Sequence, residues 1–412
     1  MIRKITDKIV LVLAFLFIGW ISFIPQPLQD KYANLVVIIL VLCLAVLFFF
    51  RRAKFKDDFF SGQDKFFWLY LALLGINVWF SEDVRSSLAF YRHFVFSCLA
   101  IYFIFKNEIK LLKPERIFYC LVICAGLVSI LAIWEIVSGS NFLYPSFVPN
   151  PYYQCFIGRR AMSTQLHPIV LGCYLVTILP MAYYFFRAAT SWLKRIFSAF
   201  FLLLIFAGLV LTFSRCSWFI LFCVISLGLI LKRKARYIVL IWLLFLGLMF
   251  IAGQPRFRGS AFGRLRFEMV RWHLNYGNRP LQYITTKNIL KKHPFVGVGL
   301  TLYRVMYDEY AVRPLPWELR VPESIYLMHL AESGIIGFLG FGLVLLHLFK
   351  GFWQKVKESS EEKNFWLAIF LSFVALLLNF GWFDGFGWKS PLYLFWVFAG
   401  VMAGVNQTGA KG

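Results

Sequence analysis

The chain has 412 residues, of which 60% are hydrophobic, 20% aromatic and 15% charged; 43 Lys/Arg against 20 Asp/Glu give a formal net charge of +23. With a mean hydropathy of +0.71, this composition excludes a soluble globular domain and makes the bilayer the solvent. The 48 Phe and 14 Trp suit lipid-facing helices and interfacial belts, and no nucleic-acid partner is expected for the basic surplus.

In chain order, apolar segments fall at 9–24, 34–50, 66–80, 88–105, 117–138, 166–186, 197–213, 216–231, 237–252, 325–349, 365–383 and 388–405. They predict an all-α polytopic membrane protein with about 12 transmembrane helices. The first run is followed by SFIPQP, which has no small-residue cleavage site, so it is read as a retained span. Segments seven and eight are separated only by Ser214-Arg215, and could be one bent helix or two spans meeting in a tight turn. The eight cysteines lie mostly inside apolar runs without a His or carboxylate cluster beside them, so packing is the better reading than metal or disulfide.

Charge sets the orientation. With a cytoplasmic N-terminus, the inside connections carry 24 Lys/Arg, and the short outside ones carry only Lys31, Arg85, Arg159, Arg160, Arg215 and Lys389. Both termini are therefore expected in the cytoplasm. The chain divides into spans one to nine (1–252), a large outside loop (253–324) and spans ten to twelve (325–412). The loop holds 12 Lys/Arg against Glu268, Asp308, Glu309, Glu318 and Glu323. Long loops are exempt from the orientation rule, so this charge reflects either a solvated basic face or an anion-binding site. Within the loop, Leu281 to Lys292 reads as a short amphipathic helix that stops before His293-Pro294. Gly297 and Gly299 then suit a tight turn, and the loop is expected to be ordered and functional.

Several charged residues stand where chemistry could use them. Arg215 closes the run LTFSR at the outer face, where a cation complements a helix C-terminus or stays accessible among small neighbours. Arg279, in YGNRPLQY, is one loop arginine among many or a bidentate phosphate donor. Arg159 and Arg160, in GRRAMSTQLHP, suit headgroups or a diphosphate, while His167 before Pro168 is better read as a hydrogen-bonded structural residue. Glu323, in VPESIYLMHLAESGIIGFLGF, follows Pro322 in what reads as the first turn of an apolar helix, an ordinary place for both residues. Glu332 and Glu135 lie deeper in spans, where an acid needs a partner or a water-filled cleft, and they keep a transporter reading open. No Walker-type or GxGxxG loop and no His/Cys ligand set occurs, so no metal or cofactor is expected.

Taken together, LTFSR, GNRPLQYITTKNILKKHPFVGVG and ESIYLMHLAESGIIG resemble the O-antigen ligase and O-antigen polymerase family of bacterial envelope enzymes. In that family an SR closes a span, a loop arginine opens a segment ending in hP-x-x-G-x-G, and HN-x-Y-L-x-x-x-x-E-x-G-x-x-G opens the next helix. Arg215 and Arg279 match the two arginines, and Tyr326, Leu327, Glu332, Gly334 and Gly337 match the last motif. Glu323-Ser324 stands in place of the HN pair. RRAMSTQLHPIVLG is similar to the family's R-x-x-G-x-x-x-x-P-x-x-x-G stretch, with Ser163 where glycine is common.

The resemblance implies a metal-independent, inverting glycosyltransferase of the all-helical GT-C-like class in the inner membrane, with a periplasmic active site. Its donor would be a glycan on undecaprenyl diphosphate, and its acceptor a lipid A core sugar (ligase) or another lipid-linked glycan (polymerase). Arg215 and Arg279 would hold the diphosphate with Arg159 and Arg160. Glu323 would deprotonate or orient the acceptor, with Ser324 and Tyr326 on the acceptor side. A twelve-span transporter or a lipid-linked glycan flippase is the alternative.

Overall fold

The computed structural model describes residues 2–50, 64–141, 143, 159–252 and 278–409, and is helical without strand among them. The first helices are α1 (Ile2–Phe23), α2 (Gln26–Lys31), α3 (Ala33–Phe50), α4 (Lys65–Trp79), α5 (Val84–Asn107), α6 (Ile109–Leu112) and α7 (Pro114–Ser138). They are followed by α8 (Pro168–Ala188), α9 (Trp192–Leu211), α10 (Arg215–Leu231) and α11 (Ile238–Ala252). The loop helices are α12 (Asn278–Lys292) and α13 (Tyr303–Tyr310), and the chain ends in α14 (Ile325–Glu358), α15 (Lys363–Phe380) and α16 (Lys389–Gly409). Each of the twelve apolar segments overlaps one helix. Continuous helix follows from the solvent, because in hydrocarbon every backbone group has to be satisfied within the segment. Among the described residues, six helices (α5, α7, α8, α9, α14 and α15) are long and apolar enough to cross a membrane.

Contacts divide the chain into two compact units. One comprises residues 1–121, 281–363 and 380–412, and the other comprises 122–280 and 364–379.

In the first unit, α14 is one helix in register but not in backbone. Gly334 sits at φ 62, ψ −168 and interrupts it, a conformation open essentially to glycine alone. An unbroken helix would bond the amides of Ile335 and Ile336 to the carbonyls of Ala331 and Glu332. Here all four groups are taken by the loop. Val298 and Gly299 donate to the Ala331 and Glu332 carbonyls at 3.0 and 2.9 Å, and Ile335 and Ile336 donate to Pro294 and Phe295 at 3.0 and 3.2 Å. The break therefore leaves none of the four unsatisfied, as an apolar surrounding demands. Gly297 and Gly299 have φ of +65 and +114, as the tight turn requires, and a Cβ on Gly297 would strike the α14 backbone. Asn77, at the end of α4, donates to the Val296 carbonyl and, at 3.1 Å, to that of Glu332.

The loop also has its own core, in which Ile289, Val298, Leu302, Tyr303, Tyr307, Tyr310 and Leu315 pack with Ala331 of α14. The expected order of the loop holds for 278–324. Its part at 253–277, with five of the counted arginines and Glu268, lies outside the described residues. Elsewhere in this unit, buried Lys106 and Asp64 pair directly, and Tyr102 donates to the same carboxylate.

In the second unit, α9 and α10 are separate helices. Thr212 caps α9, Phe213 takes φ 47, and Ser214 begins α10 as its N-cap. The bent-helix option for LTFSR is thus replaced by a tight turn. Small residues let the helices approach: a Cβ on Gly208 would strike Ser129, and one on Gly172 would strike Ser217 and Ser214. Of the described cysteines, Cys98, Cys124 and Cys173 are buried and outside any disulfide, as packing residues should be.

Candidate functional site

Arg215 is the first residue of α10, not the last of α9, because Phe213 in the left-handed region reverses the chain and Ser214 caps the new helix by accepting from the Ser217 amide. The sequence reading of a cation complementing a helix C-terminus is thereby corrected. A guanidinium at a helix N-terminus stands beside unbonded amides of its own sign, which is unfavourable alone and well suited to an anion. Arg279 has the same setting. It is the second residue of α12, partly buried, and is followed by Pro280 in the first turn.

The segment carrying Arg159 and Arg160 is bound to the α9–α10 turn. Arg160 is buried and donates from Nε to the Thr212 carbonyl at 3.0 Å, and the Ala161 amide donates to Leu211 at 2.9 Å. Arg160 therefore lies at the turn that precedes Arg215, while Arg159 is exposed. Glu135 holds this segment from α7, its Oε2 accepting from the amides of Met162 and Ser163 at 2.9 and 2.7 Å. Ser163 has φ 49, a backbone conformation that explains why the resembled family favours glycine there. His167 is the N-cap of α8, its Nδ1 accepting from the Ile169 amide at 3.3 Å, in keeping with the structural role expected of it.

On the first unit, Glu323 is not in the first turn of α14. Ser324, in extended conformation, is the N-cap, and no acid occupies the first turn. The helix-dipole account of Glu323 is corrected accordingly. Its amide instead donates to Oε1 of Gln282 at 3.0 Å, a residue on the same helix as Arg279. Ser324 is buried, with Oγ donating to the Phe380 carbonyl at 3.4 Å. Tyr326 is partly buried, its ring 6.4 Å from that of Phe341. Glu332 accepts from the Tyr303 amide at 3.3 Å and so anchors the start of α13. Both intramembrane acids thus have backbone partners, and neither needs an ion pathway to account for it.

Two side chains that the sequence reading passes over stand at this site. The 3-10 turn Gly385–Gly387 packs against the start of α14: a Cβ on Gly385 would lie 3.0 Å from Ile325, and the His329 and Phe386 rings are 5.7 Å apart. This places Asp384 near Glu323. Asp384 accepts from Trp388 Nε1 at 3.2 Å. Burial pushes its carboxyl up to about 7, helped by the negative charge of Glu323 and opposed by Trp388 and Arg304. Arg304, on α13, carries its guanidinium 5.6 Å from the Trp317 ring, and its buried Nε has no hydrogen-bond partner among the described residues. Asp384 had no signal beyond an acid in a Gly-rich aromatic turn, FDGFGW, and Arg304 was only one of the loop cations.

Residues 199–342, from α9 through the first half of α14, match the family model described as O-antigen ligase. Over this stretch, about a third of the chain, the protein is similar to the O-antigen ligase family. The matched stretch takes in Arg215, Arg279, the docked HPFVGVG segment and the Glu323–Gly337 motif. With its apolar helices, the match marks a multi-pass membrane protein with a glycosyltransferase-like role in envelope polysaccharide synthesis. A comparison with curated proteins finds no match.

Proposed function

We propose that the protein is an inverting glycosyltransferase with twelve spans and cytoplasmic termini, working at the periplasmic face of the inner membrane. It moves a glycan from undecaprenyl diphosphate to an acceptor sugar, the lipid A core in the ligase reading. An acceptor oxygen attacks the anomeric carbon as its proton passes to a carboxylate. The bond from that carbon to the diphosphate breaks, and its electron pair leaves on the diphosphate.

Departure concentrates negative charge, and guanidinium groups preorganised to meet it lower the barrier without a metal ion. Arg215 and Arg279 fill that role, with Arg159 and Arg160 near the α9–α10 turn adding positive potential. Glu323 orients the acceptor or takes its proton, with Ser324 and Tyr326 beside it. Asp384 is the neighbouring carboxyl, and a carboxyl near 7 both gains and loses a proton at neutral pH. The observation that supports this reading is the placement of both arginines in the first turn of a helix, where the dipole adds to their positive charge and an anion is favoured.

The test is transfer by purified protein from a lipid-linked glycan. Glu323→Gln should lose transfer while retaining donor binding; full transfer by that variant would remove Glu323 from the chemistry. A polymerase is the second reading, favoured by Glu323-Ser324 where the ligases carry a His-Asn pair. Glycan profiling of a deletion strain separates the two: long lipid-linked chains accumulate when a ligase is lost, and single repeats appear on the core when a polymerase is lost.

A further inference from the structure

At the other end of α10 from Arg215, the second unit contains an open groove of about 580 Å³ between α8, α10 and α15, with Leu202 of α9 in its wall. Its polarity is one-sided. The body is apolar, with Leu179, Leu221, Val224, Ile225 and Leu371 among the lining, and the rim at one end carries Arg187, Lys232 and Asn364. Two features of the sequence open it. Pro180 stands inside α8, where it removes a helical hydrogen bond. Gly228 of α10 leaves room opposite Leu371, whose Cδ1 would lie 3.2 Å from an added Cβ.

The length of the groove suits one leaflet. Leu221 to Lys232 on α10 spans about 16 Å at 1.5 Å per residue, roughly half of a hydrocarbon core of about 30 Å. Neither Arg187 nor Lys232 has an ion pair among the described residues, and burial, followed by the charges of Arg187 and Lys234, lowers the pKa of Lys232. The C-termini of α8 and α10 favour a cation each, but they do not relieve the repulsion between the two. A single anion between them does. Tyr184, its ring tilted against that of Phe365 at a centroid distance of 5.3 Å, lies at the same rim, the depth at which aromatic residues mark a membrane interface.

We propose that this groove is a binding site for an anionic glycerophospholipid, with its phosphate between Arg187 and Lys232 and an acyl chain along Leu221, Ile225 and Leu371. Charge selects the headgroup and the groove selects the chain, so both parts are needed. Because Lys232 and Arg215 are at opposite ends of α10, occupancy is separable from donor binding.

Full-length protein, stripped of lipid in neutral detergent, is incubated with phosphatidylglycerol or with phosphatidylcholine of the same chains. Bound lipid is then counted by native mass spectrometry. Wild type should retain the anionic lipid about thirtyfold better, the scale set by two interfacial cations. Equal retention by wild type overturns the proposal without recourse to any variant. Arg187→Gln with Lys232→Gln should abolish the preference, and persistence of the preference overturns it. Ile225→Trp, which fills the groove and leaves the charge unchanged, should lose the anionic lipid too. Retention there, or displacement of the lipid by glycerol phosphate at equal concentration, reduces the site to a surface charge and overturns it. A mass showing a second copy of the chain on the groove in place of lipid also does so.

Discussion

Substituting Gly334 by alanine tests the structural idea that joins the two longest family motifs. The residue's φ and ψ of 62 and −168 lie in a region that costs a non-glycine residue about 1–3 kcal/mol. The new Cβ would also press on the Phe295 carbonyl and the Val296 amide. If the 294–299 segment is driven off, four hydrogen bonds at about 0.5–1.5 kcal/mol each are lost, so with the strain the full penalty is about 3–9 kcal/mol. The control is on the same helix. Gly342 has open space around its Cβ position and ordinary helical backbone, so Gly342→Ala should be neutral or stabilise by up to about 1 kcal/mol. Thermal unfolding in detergent, with hydrogen exchange at Val298, Gly299, Ile335 and Ile336, reads both effects. Gly334→Ala should lower the midpoint and deprotect those four amides. If it melts and exchanges like wild type, α14 is not broken at 334 and the docked loop is not what holds the motifs together.

Asp384 supplies a pH prediction with a definite sign. Its folded carboxyl sits near 7, above the ordinary 3.8, so between about pH 4 and 7 the folded state keeps a proton that the unfolded chain has lost. Stability falls as pH rises through that window, and Asp384→Asn should remove this part of the fall in a series of melting curves. If the carboxylate form is needed for transfer, wild-type rate should climb between pH 6 and 8, and the climb should be absent in Asp384→Asn. At the α9–α10 turn, Arg160→Leu leaves the Thr212 carbonyl without its donor and should cost about 1–3 kcal/mol by denaturant titration. Arg159→Ala, at an exposed position, should leave stability within about 0.5 kcal/mol.

Helix positions were legible because hydropathy over some 20 residues is set by the bilayer; α8, α9 and α10 fall where the apolar runs predicted them. Stop signals were also legible. His293-Pro294 ends α12 at Lys292, and the Gly297 and Gly299 pair does adopt positive φ. What escaped was long-range pairing. Nothing local to Gly334 says that its broken backbone bonds will be completed by residues 294–299, because a glycine in an apolar helix reads equally well as close packing. The charge environments of Glu323 and Asp384 were hidden for the same reason: 61 positions separate them, and only the Gly385 turn against Ile325 brings them near. Helix polarity was misjudged at Arg215 and Glu323 by one or two residues. At a cap this is enough to reverse the sign of a dipole argument.

The central claim is that Arg215 and Arg279 stabilise a departing lipid diphosphate. The direct measurement is single-turnover glycan transfer by purified protein with each arginine changed to Ala and to Lys, alongside the affinity for undecaprenyl diphosphate. The account predicts that each Ala variant loses about 10²–10³ in transfer rate, and that the Lys variants recover only part of it because the planar fork is missing. Wild-type rates in both Ala variants, with donor affinity unchanged, would contradict it.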